Sequence, residues 1–257
     1  MTKSLKTPDI GSPATNLPLP IFFILPFVVM GIVSMFGPEA PGDEFAAQLS
    51  FREEYGKKMV LYVGILFTSM TIAIAFCWRT VMNSLAGKLS VWGPACGILG
   101  AALWIAICQL QWEGALIRQT FLATLLPERL AFNPLFYLES TPVLLVLFLI
   151  LRFGVLAIAV PIAEEWLLRG WLVRWIDSPD HWYKNSLTTA STTAMLGVIV
   201  YSVLTHPFEA IAAIAWFSLI NWLMKRTGSI TDCIVAHGTT NFILGVFVLM
   251  TGQWRLW

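Results

Sequence analysis

Long apolar stretches with few charges are the feature of this sequence that most limits its possible folds. A bilayer core of about 30 Å needs roughly 20 apolar residues in one helix. Six segments are close to this length: residues 17–36, 59–78, 91–110, 187–206, 208–224 and 230–250. The chain is 57% hydrophobic and only 12% charged, against roughly 25% charged residues in an average soluble protein. The sequence therefore predicts an integral membrane protein of the all-α class.

A seventh apolar stretch, residues 142–175, is longer than one crossing requires. As a straight helix it would measure about 50 Å at 1.5 Å per residue. Pro161 lies inside it, so we expect either a kink at this proline or a separate interfacial or half-membrane first part. Residues 115–138 carry charges and two prolines and are interpreted as an interfacial connection, where a further span would raise the count by one. The sequence predicts a polytopic transmembrane bundle with seven or eight spans.

The charge balance and the cysteines exclude several classes of protein. The net charge is +1 with no long run of basic residues, which argues against a nucleic-acid partner. The four cysteines are scattered through apolar segments without C-x-x-C spacing, so they are interpreted as buried apolar side chains and not as disulfides or zinc ligands.

Gly93 and Gly97 form a small-xxx-small face, which we expect to pack within the chain and not to form a dimer. The oligomeric state stays open.

Glu164, Glu165 and Arg169 place three charged groups inside the longest apolar stretch. Ionised groups in a membrane are costly unless they are paired, so such residues indicate a functional site. Glu165 and Arg169 are four residues apart and share a helix face, while Glu164 is rotated by about 100°. We expect Glu165 and Arg169 to form an ion pair, which leaves Glu164 as the candidate for chemistry. The alternative, a helix end at the headgroup level, is disfavoured because apolar residues continue to Trp175.

Three further polar residues lie in the later apolar segments. His237 and Asn241 are four residues apart, so they project from one face of the last helix; they could serve chemistry or interhelical hydrogen bonding. His206 precedes Pro207, which disfavours helical geometry, so His206 is expected to close its span. It could also be an ordinary residue of a helix end. By helical rise, Glu164 and His237 are expected to meet near mid-depth of the membrane.

The order of these motifs resembles a known family. The E-E-x-x-x-R run at 164–169, the histidine at a span end, the R-T-G-S turn at 226–229 and the H-x-x-x-N helix are similar to the CAAX-processing and bacteriocin-processing (CPBP) intramembrane glutamate endopeptidases. The resemblance covers roughly residues 142–245. The Trp-rich E-E-W-L-L-R-G-W run is most similar to the bacterial branch associated with exosortase and carboxy-terminal sorting systems.

This resemblance implies roles for the residues. Glu164 and His206 would activate a water molecule, His237 and Asn241 would stabilise the oxyanion, and Glu165 and Arg169 would support them. The family usually has phenylalanine four residues before the second-motif histidine, where this chain has Ser202 with Tyr201 beside it. The resemblance implies hydrolysis without a metal or other cofactor. A zinc site formed by Glu164, His206 and His237 is the alternative.

The resemblance also implies an organisation and a location. Residues 1–140 would form N-terminal transmembrane helices and their loops, and residues 141–257 would form the catalytic membrane core. The protein would be a multi-pass protein of the cell membrane, the bacterial inner membrane in the branch named above. It would contact lipid and cleave a peptide or protein substrate, which could be lipidated or carry a sorting signal. The rival hypotheses are a non-catalytic membrane scaffold or immunity protein of the same fold, and a transporter, although no repeat of related halves is visible.

Overall fold

The computed structural model describes residues 19–40, 48–85, 87–112, 119–120 and 131–256. Within these ranges the chain forms helices and no strands. The helices are α1 (Ile21–Ser34), α2 (Leu49–Leu85), α3 (Trp92–Gln109), α4 (Pro134–Tyr137), α5 (Pro142–Asp177), α6 (Thr192–Thr205), α7 (Ala210–Thr227) and α8 (Ile230–Thr251). The prediction of an all-α membrane bundle is therefore confirmed.

The helices follow the predicted apolar segments, but they differ in length. Five are long and apolar enough to cross a membrane among the described residues: α2, α3, α5, α7 with the short turn before it, and α8. The helices α1 and α6 are apolar but have 14 residues each, or about 21 Å by helical rise. The predicted count of seven is reached only when these two shorter helices are included. Most of the connection predicted at 115–138 lies outside the described residues.

Helix α5 is continuous from Pro142 to Asp177, so the prediction of a separate half-membrane first part is wrong. Two segments of the helix, Val155–Ala159 and Trp166–Leu172, have π-helical winding. The Val160 N–H donates to the Val155 carbonyl, five residues back, and Pro161 has no N–H to offer. The helix thus accommodates its proline by local rewinding, and the Leu156 carbonyl loses the donor that an α-helix would provide.

Helix α3 packs closely against α8 through its glycines. A side chain at Gly97 would place its Cβ 2.5 Å from the Thr239 Cβ and 2.7 Å from the Ala236 carbonyl oxygen. At Gly93 the added Cβ would lie 3.0 Å from a carboxylate oxygen of Asp232. The small-xxx-small face therefore packs within the chain, as predicted from the sequence.

The start of α8 is tied to the loop that precedes α3. Asp232 accepts hydrogen bonds from the Ser90 backbone N–H at 2.7 Å and from its hydroxyl at 2.8 Å. Ser229 caps the helix by accepting from the Asp232 N–H at 3.2 Å and donates to the Lys88 carbonyl at 3.0 Å. Because helix N-termini leave N–H groups without intrahelical partners, this network both caps α8 and fixes its position along α3.

We predict that Gly97→Ala lowers the thermal midpoint of the purified protein, because the new Cβ would contact backbone and side chain of α8 at less than 3 Å. Overpacking of this kind costs about 1–3 kcal/mol. Gly31→Ala is the matched control, since no atom lies within 4 Å of a Cβ built there; it should leave the midpoint unchanged or raise it slightly. Equal effects of the two substitutions in thermal melts would contradict this packing.

Candidate active site

A buried ion pair lies at the centre of the bundle. Arg169 Nη1 is 3.0 Å from Glu165 Oε1, and both side chains are fully buried. The other terminal nitrogen, Nη2, lies 3.4 Å from Asn221 Oδ1 on α7, and the guanidinium stands 5.1 Å from the centre of the Phe217 ring. The i, i+4 pair predicted from the sequence is therefore present, and it is held by groups from a second helix.

His237 lies between the two glutamates. Its Nδ1 is 3.0 Å from Glu165 Oε1, and its Nε2 is 3.8 Å from Glu164 Oε2. The imidazole also contacts the Trp216 ring at a centroid distance of 4.6 Å. An ionised carboxylate can only accept hydrogen bonds, so the Nδ1 of His237 carries the hydrogen and donates it to Glu165. Glu164 and His237 meet in the bundle, as the helical rise predicts.

Asn241 is oriented by a backbone group of α5. Its Nδ2 donates to the Leu156 carbonyl at 2.9 Å, the carbonyl that the π-helical winding before Pro161 releases. An amide nitrogen has two hydrogens, and Asn241 lines the cavity described below. One hydrogen therefore fixes the amide against α5, and the second remains available for a group in the cavity.

His206 follows the last residue of α6, as the His-Pro sequence predicts. Its Nδ1 is 3.0 Å from the Thr205 hydroxyl and 3.3 Å from the Ser202 carbonyl oxygen. Because a carbonyl can only accept, the hydrogen is assigned to Nδ1, and Nε2 carries the lone pair. The ring makes a T-shaped contact with Trp104 at a centroid distance of 5.4 Å.

Glu164, His206, His237 and Asn241 line one cavity of about 180 Å³. This volume is large enough for water molecules or for a short section of peptide. The remaining wall is mostly apolar and aromatic, with two additional charged residues: Trp104, Arg152, Leu156, Val160, Glu209, Trp216, Phe217, Thr240, Leu244, Gly245 and Leu256. The structure thus gathers the four residues that the sequence motifs single out.

Some cavity residues were missed by the sequence reasoning. Arg152 is a charged residue within an apolar segment. Because a charge in a membrane span is energetically costly, its position could have indicated a site residue. Glu209, which is 9% exposed, follows His206 closely and belongs to none of the sequence motifs. Trp104 comes from α3, in the region for which only supporting helices were expected. A lone tryptophan in an apolar span carries no signal of its own.

The serine that replaces the family's usual phenylalanine does not leave the cavity without an aromatic wall. Ser202 is fully buried, and its hydroxyl donates to the Ile199 carbonyl at 2.7 Å. The aromatic surface is supplied instead by Trp104, Trp216 and Phe217 from α3 and α7. The cavity therefore has an aromatic wall although position 202 is a serine.

The zinc alternative requires three ligands that lie close together. In the described part of the chain, no three His, Cys, Asp or Glu side chains are grouped closely enough to hold a metal ion. Glu164 and His237 are neighbours, but His206 does not complete a three-ligand set with them. A catalytic zinc site normally has three protein ligands around one open position.

Comparison with known proteins agrees with the motif order. Residues 142–243 match the family model of type II CAAX prenyl endopeptidases, Rce1-like. This match begins at the first residue of α5 and ends just beyond Asn241, so it contains all four motif residues of the cavity. No curated protein and no solved structure gives a significant match. The match confirms the resemblance of this segment to the CPBP family.

We predict that Glu165→Gln destabilises the protein strongly. Glu165 contacts both Arg169 and His237, and removing one member of a buried ion pair costs about 3–5 kcal/mol. Thermal melts in detergent should show a large drop of the midpoint. Glu54→Gln is the control, because its 2.7 Å pair with Lys58 is exposed and should leave the midpoint unchanged. A wild-type midpoint for Glu165→Gln would contradict the structural role of this carboxylate.

Proposed function

We propose that the Rce1-like segment of this chain hydrolyses a peptide bond within or beside the membrane, with Glu164 and His206 activating water and His237 and Asn241 stabilising the oxyanion. The proposal rests on the observation that all four side chains line one cavity. The interior of a membrane helix bundle is usually apolar, so four polar side chains around one cavity require an explanation. Because polar and ionisable groups are energetically costly within a membrane, their presence there indicates a functional site.

The first part of the reaction is the activation of water. The Glu164 carboxylate reaches the cavity with a side chain that is 12% exposed, and the tautomer assigned to His206 puts the lone pair of the ring on Nε2. A water held by these two groups would pass a proton to Glu164 while its oxygen attacks the carbonyl carbon. The same proton would then go to the leaving amine. General-base assistance of this kind contributes about 10²–10⁴-fold in rate.

The second part is the stabilisation of the negative oxygen that the attack creates. Asn241 can offer the amide hydrogen that does not bond to Leu156. His237 already gives its Nδ1 hydrogen to Glu165, so donation from Nε2 requires the doubly protonated imidazolium. Glu164 and Glu165 both lie beside the ring. Donors fixed in a site that excludes water contribute about 10²–10³-fold each.

Glu165 and Arg169 support the site without touching the reacting atoms. The carboxylate of Glu165 contacts Arg169 on one side and His237 on the other. It therefore fixes the imidazole so that Nε2 faces Glu164 and the cavity. Orienting groups of this kind keep a donor within the narrow geometry that transition-state stabilisation requires.

The proposed substrate is a peptide or protein presented at the membrane, with a lipidated end or a sorting signal as candidate recognition elements. The proposed location is the cell membrane, the bacterial inner membrane if the chain follows the exosortase-associated branch. We further propose that the reaction needs no metal or other cofactor, since a carboxylate and an imidazole can activate water by proton transfer alone.

Glu164→Gln should abolish cleavage while the protein keeps its fold, because the amide preserves shape but cannot act as the base. The test uses protein purified into liposomes, a mixture of internally quenched peptides, and mass spectrometry of newly formed peptide ends. Glu139→Gln is the control, since this carboxylate is 72% exposed in a surface ion pair and should leave turnover unchanged. Full activity of folded Glu164→Gln protein would refute the assignment, and no cleavage by any variant would favour the non-catalytic scaffold.

Metal chelators should leave the cleavage rate unchanged, and elemental analysis should find no stoichiometric zinc. This expectation follows from the absence of a three-ligand group among the described His, Cys, Asp and Glu side chains. A rate that disappears with a phenanthroline-type chelator and returns with added zinc would instead support a zinc-dependent protease.

A further inference from the structure

Trp216 of α7 packs against His237 and is itself held by hydrogen bonds. The two rings make a T-shaped contact at a centroid distance of 4.6 Å. The indole Nε1–H donates to the Thr240 hydroxyl at 3.0 Å, and this hydroxyl donates to the Gly97 carbonyl of α3 at 2.9 Å. All three side chains, of Trp216, Thr240 and His237, are buried. Groups from α3, α7 and α8 therefore meet beside the imidazole.

The direction of each hydrogen bond in this arrangement is fixed by the chemistry of its groups. An indole N–H can only donate and a carbonyl can only accept, so the Thr240 hydroxyl must accept from Trp216 and donate to Gly97. Removing the hydroxyl would leave the buried indole N–H without this acceptor, which is energetically costly. The hydroxyl therefore holds the indole ring in one orientation.

Helix α3 leaves the space that the indole and the hydroxyl occupy. A Cβ at Gly100 would lie 2.7 Å from Trp216 Cδ1, 2.8 Å from its Nε1 and 3.0 Å from the Thr240 hydroxyl oxygen. Any side chain at position 100 would therefore displace one of these two groups. Gly97 and Gly100 lie outside the segment that matches the family model, so the N-terminal part of the chain contributes to the surroundings of His237.

One hydrogen bond does not fix the plane of an imidazole. The bond between Nδ1 of His237 and Glu165 holds one atom of the ring, and the terminal torsion of a histidine side chain has a broad range. With this bond alone, the ring would be free to turn and to swing Nε2 away from the side of Glu164. A rigid aromatic surface against the ring prevents that rotation, and the Trp216 indole provides such a surface.

We propose that Trp216 and Thr240 are positioning residues for His237: the indole sets the plane of the imidazole, and the Thr240 hydroxyl holds the indole. This inference rests on the proposed function for its catalytic meaning, because the direction of Nε2 affects the rate only if Nε2 donates to the oxyanion. The orientation of the ring itself is measurable without a substrate.

Thr240→Val tests the proposal, because valine keeps the branched shape of threonine and removes the hydroxyl. In the liposome cleavage assay it should lower kcat roughly ten- to hundredfold with little change in KM, since a small misplacement of a catalytic group costs up to about 10² in rate. Thr240→Ser keeps the hydroxyl and should retain most of kcat. Thr251→Val is the matched control on the same helix, since its exposed hydroxyl bonds only to the Phe247 carbonyl one turn back; it should leave kcat unchanged.

Gly100→Ala disturbs the same pair from α3 and serves where Thr240→Val gives little folded protein. Its methyl group would press on the Trp216 indole and the Thr240 hydroxyl, so kcat per folded molecule should fall while KM changes little. Gly31→Ala is its control, because no atom lies within 4 Å of a Cβ built there, and it should leave kcat unchanged.

Nuclear magnetic resonance with labelled histidine and tryptophan reports the orientation directly. The chain has three histidines, so single substitutions assign the His237 signals, and Trp216→Phe assigns the indole N–H. In Thr240→Val the Trp216 N–H signal should move, and the His237 ring protons should lose the shift that the nearby indole ring imposes on them. Thr240→Ser should keep both signals near their wild-type positions.

The possible outcomes separate this proposal from the proposed function. Unchanged His237 signals, or an unchanged kcat when these signals have moved, would overturn the positioning role. A raised KM with an unchanged kcat would also overturn it, because Trp216 would then serve only as an apolar wall for the substrate. If the His237 signals move in Thr240→Val but the wild-type protein cleaves no peptide, the ring contact is supported and the proposed function is refuted.

Discussion

The contact chain from Arg169 through Glu165 to His237 is the interaction on which the rest of the site depends. The two distances along it are both 3.0 Å, and Glu165 and Arg169 are fully buried. A single buried carboxylate would be costly in this environment, but here one cation and one imidazole N–H satisfy the same oxygen. The chain connects α5 to α8 and fixes the imidazole orientation, so it supplies both stability and geometry.

The sequence was sufficient to predict the class of fold and the four motif residues that line the cavity. Apolar segment lengths located the helices, and i, i+4 spacing predicted the pair formed by Glu165 and Arg169. The same spacing placed His237 and Asn241 on one face of α8. The His-Pro pair correctly predicted that a helix ends at His206. These predictions succeeded because they rest on local geometry, which short stretches of sequence determine.

The remaining features depend on contacts between distant parts of the chain. Nothing in the spacing indicates that Glu165 would also hold His237, 72 residues away. Trp104 comes to the cavity from α3, whose glycines lie close against α8. The release of the Leu156 carbonyl to Asn241 requires π-helical winding before Pro161, and a proline alone predicts a kink but not the partner of the freed carbonyl.

A structure of the Glu164→Gln protein with a bound peptide would test the central claim most directly. The account predicts that the carbonyl oxygen of the bond to be cleaved lies within about 3.1 Å of Asn241 Nδ2 and His237 Nε2, with a water molecule between residue 164 and His206 Nε2. A peptide bound away from this cavity, or a carbonyl oxygen that contacts neither side chain, would contradict it.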